Sequence, residues 1–169
     1  MIVREAKLLN RTLEQYLALD NAIRTAQFIR NKALRYWMDN QGVSKATLYA
    51  LCKDLAKEFP FAKKLNSAAR QASAERAWQA ISSFYNRCNK KEKKKGYPKF
   101  KKHCRSVEYK VSGWQLSEDC KSISFRDGFD IGTLSLYCDK ETREDLFRLK
   151  INPCEDSSSC RWVLCPVLF

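Results

Sequence analysis

The chain has 169 residues, the length of one domain or of a domain carrying an insertion, and long enough to bury a real core. Its 32 Lys and Arg stand against 19 Asp and Glu, a formal net charge of +13, which points to a polyanionic partner. Nucleic acid is expected before membrane, since no apolar run is long enough for a bilayer, and the opening MIVREAKLLNRT lacks an apolar signal core, so a cytoplasmic protein is expected.

Residues 2 to 9, IVREAKLL, alternate loosely and predict a first strand. Thr12 stands where an N-cap belongs, with Gln15 completing a capping box. Apolar residues then recur at helical spacing (Leu13, Tyr16, Leu17, Ile23, Ala26, Ile29, Ala33, Trp37) until Gly42, so a first helix is expected over roughly 12 to 40. Ser44 or Thr47 caps a second helix carrying Leu48, Leu51, Cys52 and Leu55, closed by Phe59-Pro60. A third helix runs from about Leu65 to Arg87, and its stripe of Ala74, Ala77, Trp78, Ile81, Phe84 and Tyr85 reads as core. Trp37, Trp78 and Phe84 are assigned to that core.

The texture then changes. Between Arg87 and Lys102 lie nine basic residues (Arg87, Lys90, Lys91, Lys93, Lys94, Lys95, Lys99, Lys101, Lys102) and one acid, Glu92. Charge at this density repels itself, and a loop or mobile linker is expected. Beyond Ser106 the helical period gives way to the alternation of VEYKVS, SISF and TLSLYC, with a turn at Arg126-Asp127-Gly128, and LFRLKI makes a last strand. The expected class is α+β, a small sheet or barrel interrupted by about three helices. The expected parts are residues 1–10 with 106–151 for the sheet, 11–88 for the helices, 89–105 for the basic linker and 152–169 for an atypical tail.

The basic stretch carries the functional signal. Aromatics interleave with the lysines in Gly96-Tyr97-Pro98-Lys99-Phe100-Lys101-Lys102, a composition suited to neutralising phosphates while a ring stacks on a base. Arg70, Arg76 and Arg87, on the polar side of the third helix, extend the positive field. The expected nucleic-acid-binding set is therefore Arg70, Arg76, Arg87, Lys90, Lys91, Lys93, Lys94, Lys95, Tyr97, Lys99, Phe100, Lys101 and Lys102. No finger, RRM signature or bZIP heptad accompanies it, so contact is expected through the phosphate backbone rather than through base edges.

Chemistry of other kinds finds little support. The eight cysteines (Cys52, Cys88, Cys104, Cys120, Cys138, Cys154, Cys160, Cys165) include no CxxC knuckle, and read as mostly reduced thiols. His103 is the sole histidine, and beside Cys104 in a lysine-rich stretch it reads as part of a solvated loop. The acid pairs Glu118-Asp119 and Glu144-Asp145 read as surface charge, and Asp127 and Asp130 as turn residues. No catalytic residue, metal ligand or cofactor site is expected.

Leu19 to Trp37, the helix ending AWQAISSFYNRC, and above all KKGYPKFKK (Lys94 to Lys102) resemble the N-terminal half of the TnpB, or OrfB, insertion-sequence proteins. Those were formerly described as helix-turn-helix transposases. The resemblance covers residues 1 to about 151. It implies an RNA-guided DNA endonuclease whose N-terminal half is a wedge barrel with a helical recognition insertion, holding guide RNA and its hybrid with DNA through backbone and shape. It further implies that Lys99, Lys101 and Lys102 contact backbone, that Tyr97 and Phe100 stack or fix the loop, and that Gly96 and Pro98 set the turn. The family's RuvC carboxylates and zinc ribbon lie downstream of such a half, so this chain is not expected to cut DNA.

After Ile151 the character shifts to NPCEDSSSCRWVLCPVLF. Back-translated and read one nucleotide later from Cys154, the codons permit V-R-I-V-R-R-A-D-G-Y-Y-V-Q-F-C, a string with a strand's alternation. A frameshift that truncates a longer protein is the expectation, with the tail cysteines as accidents of the wrong frame. The alternatives are a stand-alone helix-turn-helix regulator within residues 12 to 88, reading duplex DNA through Arg70 and Arg76, or a nonfunctional remnant.

Overall fold

The computed structural model describes residues 4–9, 12–104, 106–110, 112–119, 121–137, 149–151 and 161–164. Strand β1 (Arg4–Leu9) leads into helix α1 (Leu13–Asp39) through the expected capping box. Gln15 N donates to the Thr12 hydroxyl at 3.2 Å, and Thr12 N donates to the Gln15 side chain at 3.2 Å. At the other end Asn40 Nδ2 donates to the Tyr36 carbonyl at 2.8 Å, so an asparagine closes the helix ahead of Gly42. Helix α2 (Lys45–Glu58) starts at Ser44, whose hydroxyl accepts from Thr47 N at 3.2 Å.

Phe59 caps α2 where the sequence predicts its end, and Pro60 then opens a further five-residue helix, α3 (Pro60–Lys64), at a position where a missing N–H leaves nothing unsatisfied. Helix α4 (Ser67–Asn89) follows, capped by Asn66. Four helices therefore stand among the described residues where three are expected. The end of α4 is a Schellman motif: Lys91 N donates to Cys88 O at 3.0 Å and Glu92 N to Arg87 O at 3.1 Å. Lys91 takes the left-handed position usual for glycine, with φ 53°.

Helices α1 and α4 pack along one another. Ala22, Ala26 and Ala33 on α1 and Ala69, Ala74 and Ala77 on α4 are buried in one cluster, where small side chains permit close approach. Ile29, Leu34, Leu48, Leu65 and Ile81 fill the remaining space and are fully buried, each contributing roughly 1.5–3 kcal/mol. Trp37 and Trp78 pack half-buried against this core, whereas Leu13 and Leu17, at the start of α1, are exposed.

The fold is α+β. Strands β2 (Val107–Tyr109), β3 (Trp114–Leu116), β4 (Ser122–Phe125), β5 (Thr133–Tyr137), β6 (Leu149–Ile151) and β7 (Arg161–Leu164) join β1 in one sheet of order β2-β6-β7-β1-β5-β4-β3. All its pairings are antiparallel, and the helices enter between β1 and β2. Barrel closure would need β2 to pair with β3, and the described sheet ends at those two strands instead. Ile123, Phe125, Leu134 and Leu136 turn inward, as their alternation predicts. The short strand at Trp114 had no sequence signal long enough to read. Arg161–Leu164, within the atypical tail, pairs with both β1 and β6.

Sheet and helices are joined at several points. Gln15 Nε2 donates to the carbonyls of Ile131 and Thr133 at 3.3 and 3.0 Å, and Gly128 N donates to Lys64 O at 2.8 Å. A side chain at Gly128 would bring Cβ to 3.1 Å from the Lys64 backbone, so this approach suits glycine. The buried Tyr109 hydroxyl donates to Asp127, which also accepts from Phe129 N at 3.1 Å and so fixes the expected turn. No helix among the described residues is long and apolar enough to cross a membrane.

Candidate nucleic-acid interface

A run of lysines gains nothing from packing its side chains, so what orders it is its backbone. In residues 95–104 the backbone groups find partners on a neighbouring helix. Arg87 Nε donates to Lys95 O at 2.6 Å and Arg87 Nη2 to Gly96 O at 3.0 Å, gripping the start of the segment. Arg30 Nη1 and Nη2 donate to Lys99 O at 3.3 and 3.4 Å. Asn31 Nδ2 donates to Lys101 O at 2.9 Å while its Oδ1 accepts from Lys101 N at 3.0 Å. Gln27 Nε2 donates to Lys102 O at 3.0 Å and its Oε1 accepts from Cys104 N at 2.6 Å.

Residue numbers rise along the segment as they fall along α1. Residues 95–104 are thus a strap laid antiparallel on α1, without helix or strand of their own. The segment is a loop, as expected: the charge keeps the side chains out of the core, and the polar face of α1 bonds the main chain.

The strap divides its side chains. Pro98 is buried. Gly96 has φ 60°, and a Cβ there would lie 3.1 Å from the Arg87 guanidinium, so glycine serves both the turn and the grip. The Tyr97 ring lies 5.7 Å from Trp37 and 5.2 Å from Phe84, and Trp37 Nε1 donates to Tyr85 Oη at 3.1 Å. Tyr97 therefore packs one side on the helices while remaining 53% exposed. Phe84, expected in the core, is half-buried in this aromatic cluster with Trp37, Tyr85 and Tyr97.

Lys99, Phe100, Lys101, Lys102 and His103 face solvent, with Phe100 46% exposed. Beside Phe100 a groove of about 440 Å3 is lined by Arg24, Phe28, Lys32 and Arg35 of α1. Arg24 and Arg35 pair with Asp20 and Asp39 at 2.6 and 3.5 Å, and exposed pairs of that kind hold a side chain weakly. Lys90, Lys91, Lys93, Lys94 and Lys95 are exposed at the end of α4 and in the turn beyond it.

Each of the three helix arginines bonds within the protein. Arg70 turns inward and donates to the carbonyls of Ala62, Lys63 and Leu65, closing α3. Arg76 donates to Ser106 O at 2.8 Å and pairs with Glu108 at 3.5 Å, holding the strap's exit against β2. Arg87 grips the strap's entry. Their guanidiniums reach backbone carbonyls because each sits beside a segment lacking internal hydrogen bonds.

Sequence reasoning missed Gln27, Arg30 and Asn31. Polar residues at i, i+3 and i+4 on an otherwise apolar helix were the available signal. Burial pulls the Arg30 guanidinium below the usual arginine range, with the nearby Arg76 charge acting in the same direction, and it stays charged.

Among the described residues no group of three or more His, Cys, Asp or Glu could hold a metal ion. Cys52, Cys88 and Cys104 are thiols, and burial pushes Cys52 up to about 11. Glu118 and Asp119 are exposed in a turn. Cys120, Cys138, Glu144, Asp145, Cys154, Cys160 and Cys165 lie outside the described residues. In comparison with known proteins, no family model matches the chain and no curated protein matches it.

Proposed function

We propose that this chain is a nucleic-acid-binding fragment of a TnpB-like, transposon-encoded RNA-guided endonuclease, acting in the cytoplasm and supplying binding rather than cleavage. One observation carries the reading: the strap turns its main chain to α1 and presents Lys99, Phe100, Lys101 and Lys102 outward beside a second row of cations on α1. Cations spaced along an extended backbone track phosphates, and the exposed Phe100 ring offers a face on which a base stacks. The KKGYPKFKK resemblance gives guide-type RNA as the partner. The helix-turn-helix regulator depends on Arg70 and Arg76, whose guanidiniums are engaged inside the protein, so the strap is the better supported surface.

The test is fluorescence anisotropy with a structured RNA and with duplex DNA across a salt series. The reading expects RNA to bind more tightly, with log Kd rising steeply with log salt. Equal affinity for both would remove guide RNA as the special partner. Absence of binding to either at low salt would overturn the reading.

A further inference from the structure

A second cleft, of about 580 Å3, lies between α1, α4 and the end of the strap. Arg30 of α1, Arg76, Gln79 and Ser83 of α4, and Lys101, His103 and Cys104 of the strap line it. Arg30 is only 7% exposed. Among the described residues no carboxylate belongs to the lining: Glu108, which pairs with Arg76, is on β2. Two guanidiniums that repel one another thus share a partly desolvated cleft, an arrangement that an incoming anion relieves.

Each guanidinium carries five N–H donors in a planar fork. Arg30 directs Nη1 and Nη2 toward Lys99 O and Asn31 Oδ1, and Arg76 directs Nη1 and Nη2 toward Ser106 and Glu108 and also bonds the Cys104 thiol. The Arg30 Nε–H lies outside these contacts. Gln79 adds a neutral donor, and Lys101 adds a further cation. This donor set matches the tetrahedral oxygens of a phosphate.

We propose that this cleft seats one phosphate group, and that the group is a backbone phosphate of the nucleic acid bound along the strap. The second half of that statement rests on the function proposed above. In this arrangement bases lie toward Phe100 and one phosphate enters the cleft. The seat sets the register of the chain, since a phosphate held between the buried Arg30 and the half-buried Arg76 is fixed where surface lysines leave it free to slide.

The experiment places a carboxylate in the cleft without removing an arginine. Ser83 is an exposed helix position, so Ser83→Glu retains the fold, with Ser83→Gln as the neutral control of equal size. Two probes are used on the full chain: inorganic phosphate, followed through the arginine Nε–H resonances by NMR, and a fluorescent structured RNA. The proposal expects phosphate to shift two arginine resonances in the wild type and the Gln variant but not in the Glu variant. It also expects Ser83→Glu to weaken RNA binding about tenfold and to lower the salt slope by about 0.7, one phosphate of a single strand.

A wild type whose arginine resonances ignore phosphate, with RNA affinity unchanged in Ser83→Glu, overturns the seat while leaving RNA binding itself intact. Loss of the phosphate response in Ser83→Glu without any change in RNA affinity keeps the seat and overturns the backbone as its source. A wild type that seats phosphate but binds no RNA overturns the function proposed above and assigns the cleft to a free phosphate or nucleotide.

Discussion

The two halves of the basic stretch are alike in composition and unlike in attachment. Lys90 to Lys95 extends the end of α4 through a Schellman turn and is then held at Lys95 by Arg87. Gly96 to Cys104 is bonded at Lys99, Lys101, Lys102 and Cys104 to three neighbouring polar residues of α1. Lysine density is therefore a poor guide to order. What decides is whether a nearby element offers the main chain donors and acceptors in register, and one turn of α1 does so through Gln27, Arg30 and Asn31.

The cations differ as well. Arg70 and Arg87 hold carbonyls and Lys45 and Lys110 hold Glu75, whereas the strap lysines remain on the surface.

Breaking the strap's attachment gives the largest expected effect. Arg30→Met removes the donor to Lys99 O in a buried position, and urea denaturation should show a loss of about 2–3 kcal/mol. The corresponding loss at the less tightly bonded first half, from Lys93→Ala, should lie within about 0.5 kcal/mol of zero. Equal losses would erase the distinction between the two halves.

Next comes the internal cation set. Burial would raise the Glu75 carboxyl, but hydrogen bonds from Lys110, Lys45 and Tyr49 hold it at about 2. An unfolded glutamate titrates near about 4.3, so its contribution is fully present above that value and is lost as pH falls from there through about 2. Glu75→Gln should cost about 1–3 kcal/mol at pH 7, as for other part-buried charged hydrogen bonds, and less by pH 2.5. A deficit independent of pH would show that the carboxylate is not what joins α2, α4 and the segment after β2.

The smallest effect sharpens the first half alone. Lys91 holds a left-handed backbone at a cost of roughly 1 kcal/mol. Lys91→Gly should raise stability by about 0.5–1 kcal/mol while removing one surface charge, so thermal melting and RNA affinity should move in opposite directions.

Local chemistry was the legible part of this fold. Thr12 and Gln15 announce a capping box within four residues, and Ile123, Phe125, Leu134 and Leu136 announce inward faces by alternation alone. The open edge of the sheet was not legible, because whether β2 meets β3 depends on strand order rather than on either strand. Phe59-Pro60 marked the end of α2 correctly, but the five-residue helix that Pro60 opens was not legible, because proline both ends and begins helices.

At the site, the lysines and Phe100 were readable as composition. The inward turn of Arg70, Arg76 and Arg87 was not, because a guanidinium on a half-polar helix face reaches solvent or a neighbouring carbonyl with equal ease until the neighbour is known. Gln27, Arg30 and Asn31 escaped for the same reason.

The most direct test compares two charge removals on one RNA: Lys99, Lys101 and Lys102 all to Gln, against Lys90, Lys93 and Lys94 all to Gln, with Kd measured from low to high salt. Each set removes three charges, so net charge alone predicts the same loss from both. An ordered strap predicts the larger loss from the first set, with a salt slope shallower by about 2, near 0.7 for each of three phosphates. Equal losses, or a larger loss from the second set, would contradict the strap as the binding surface.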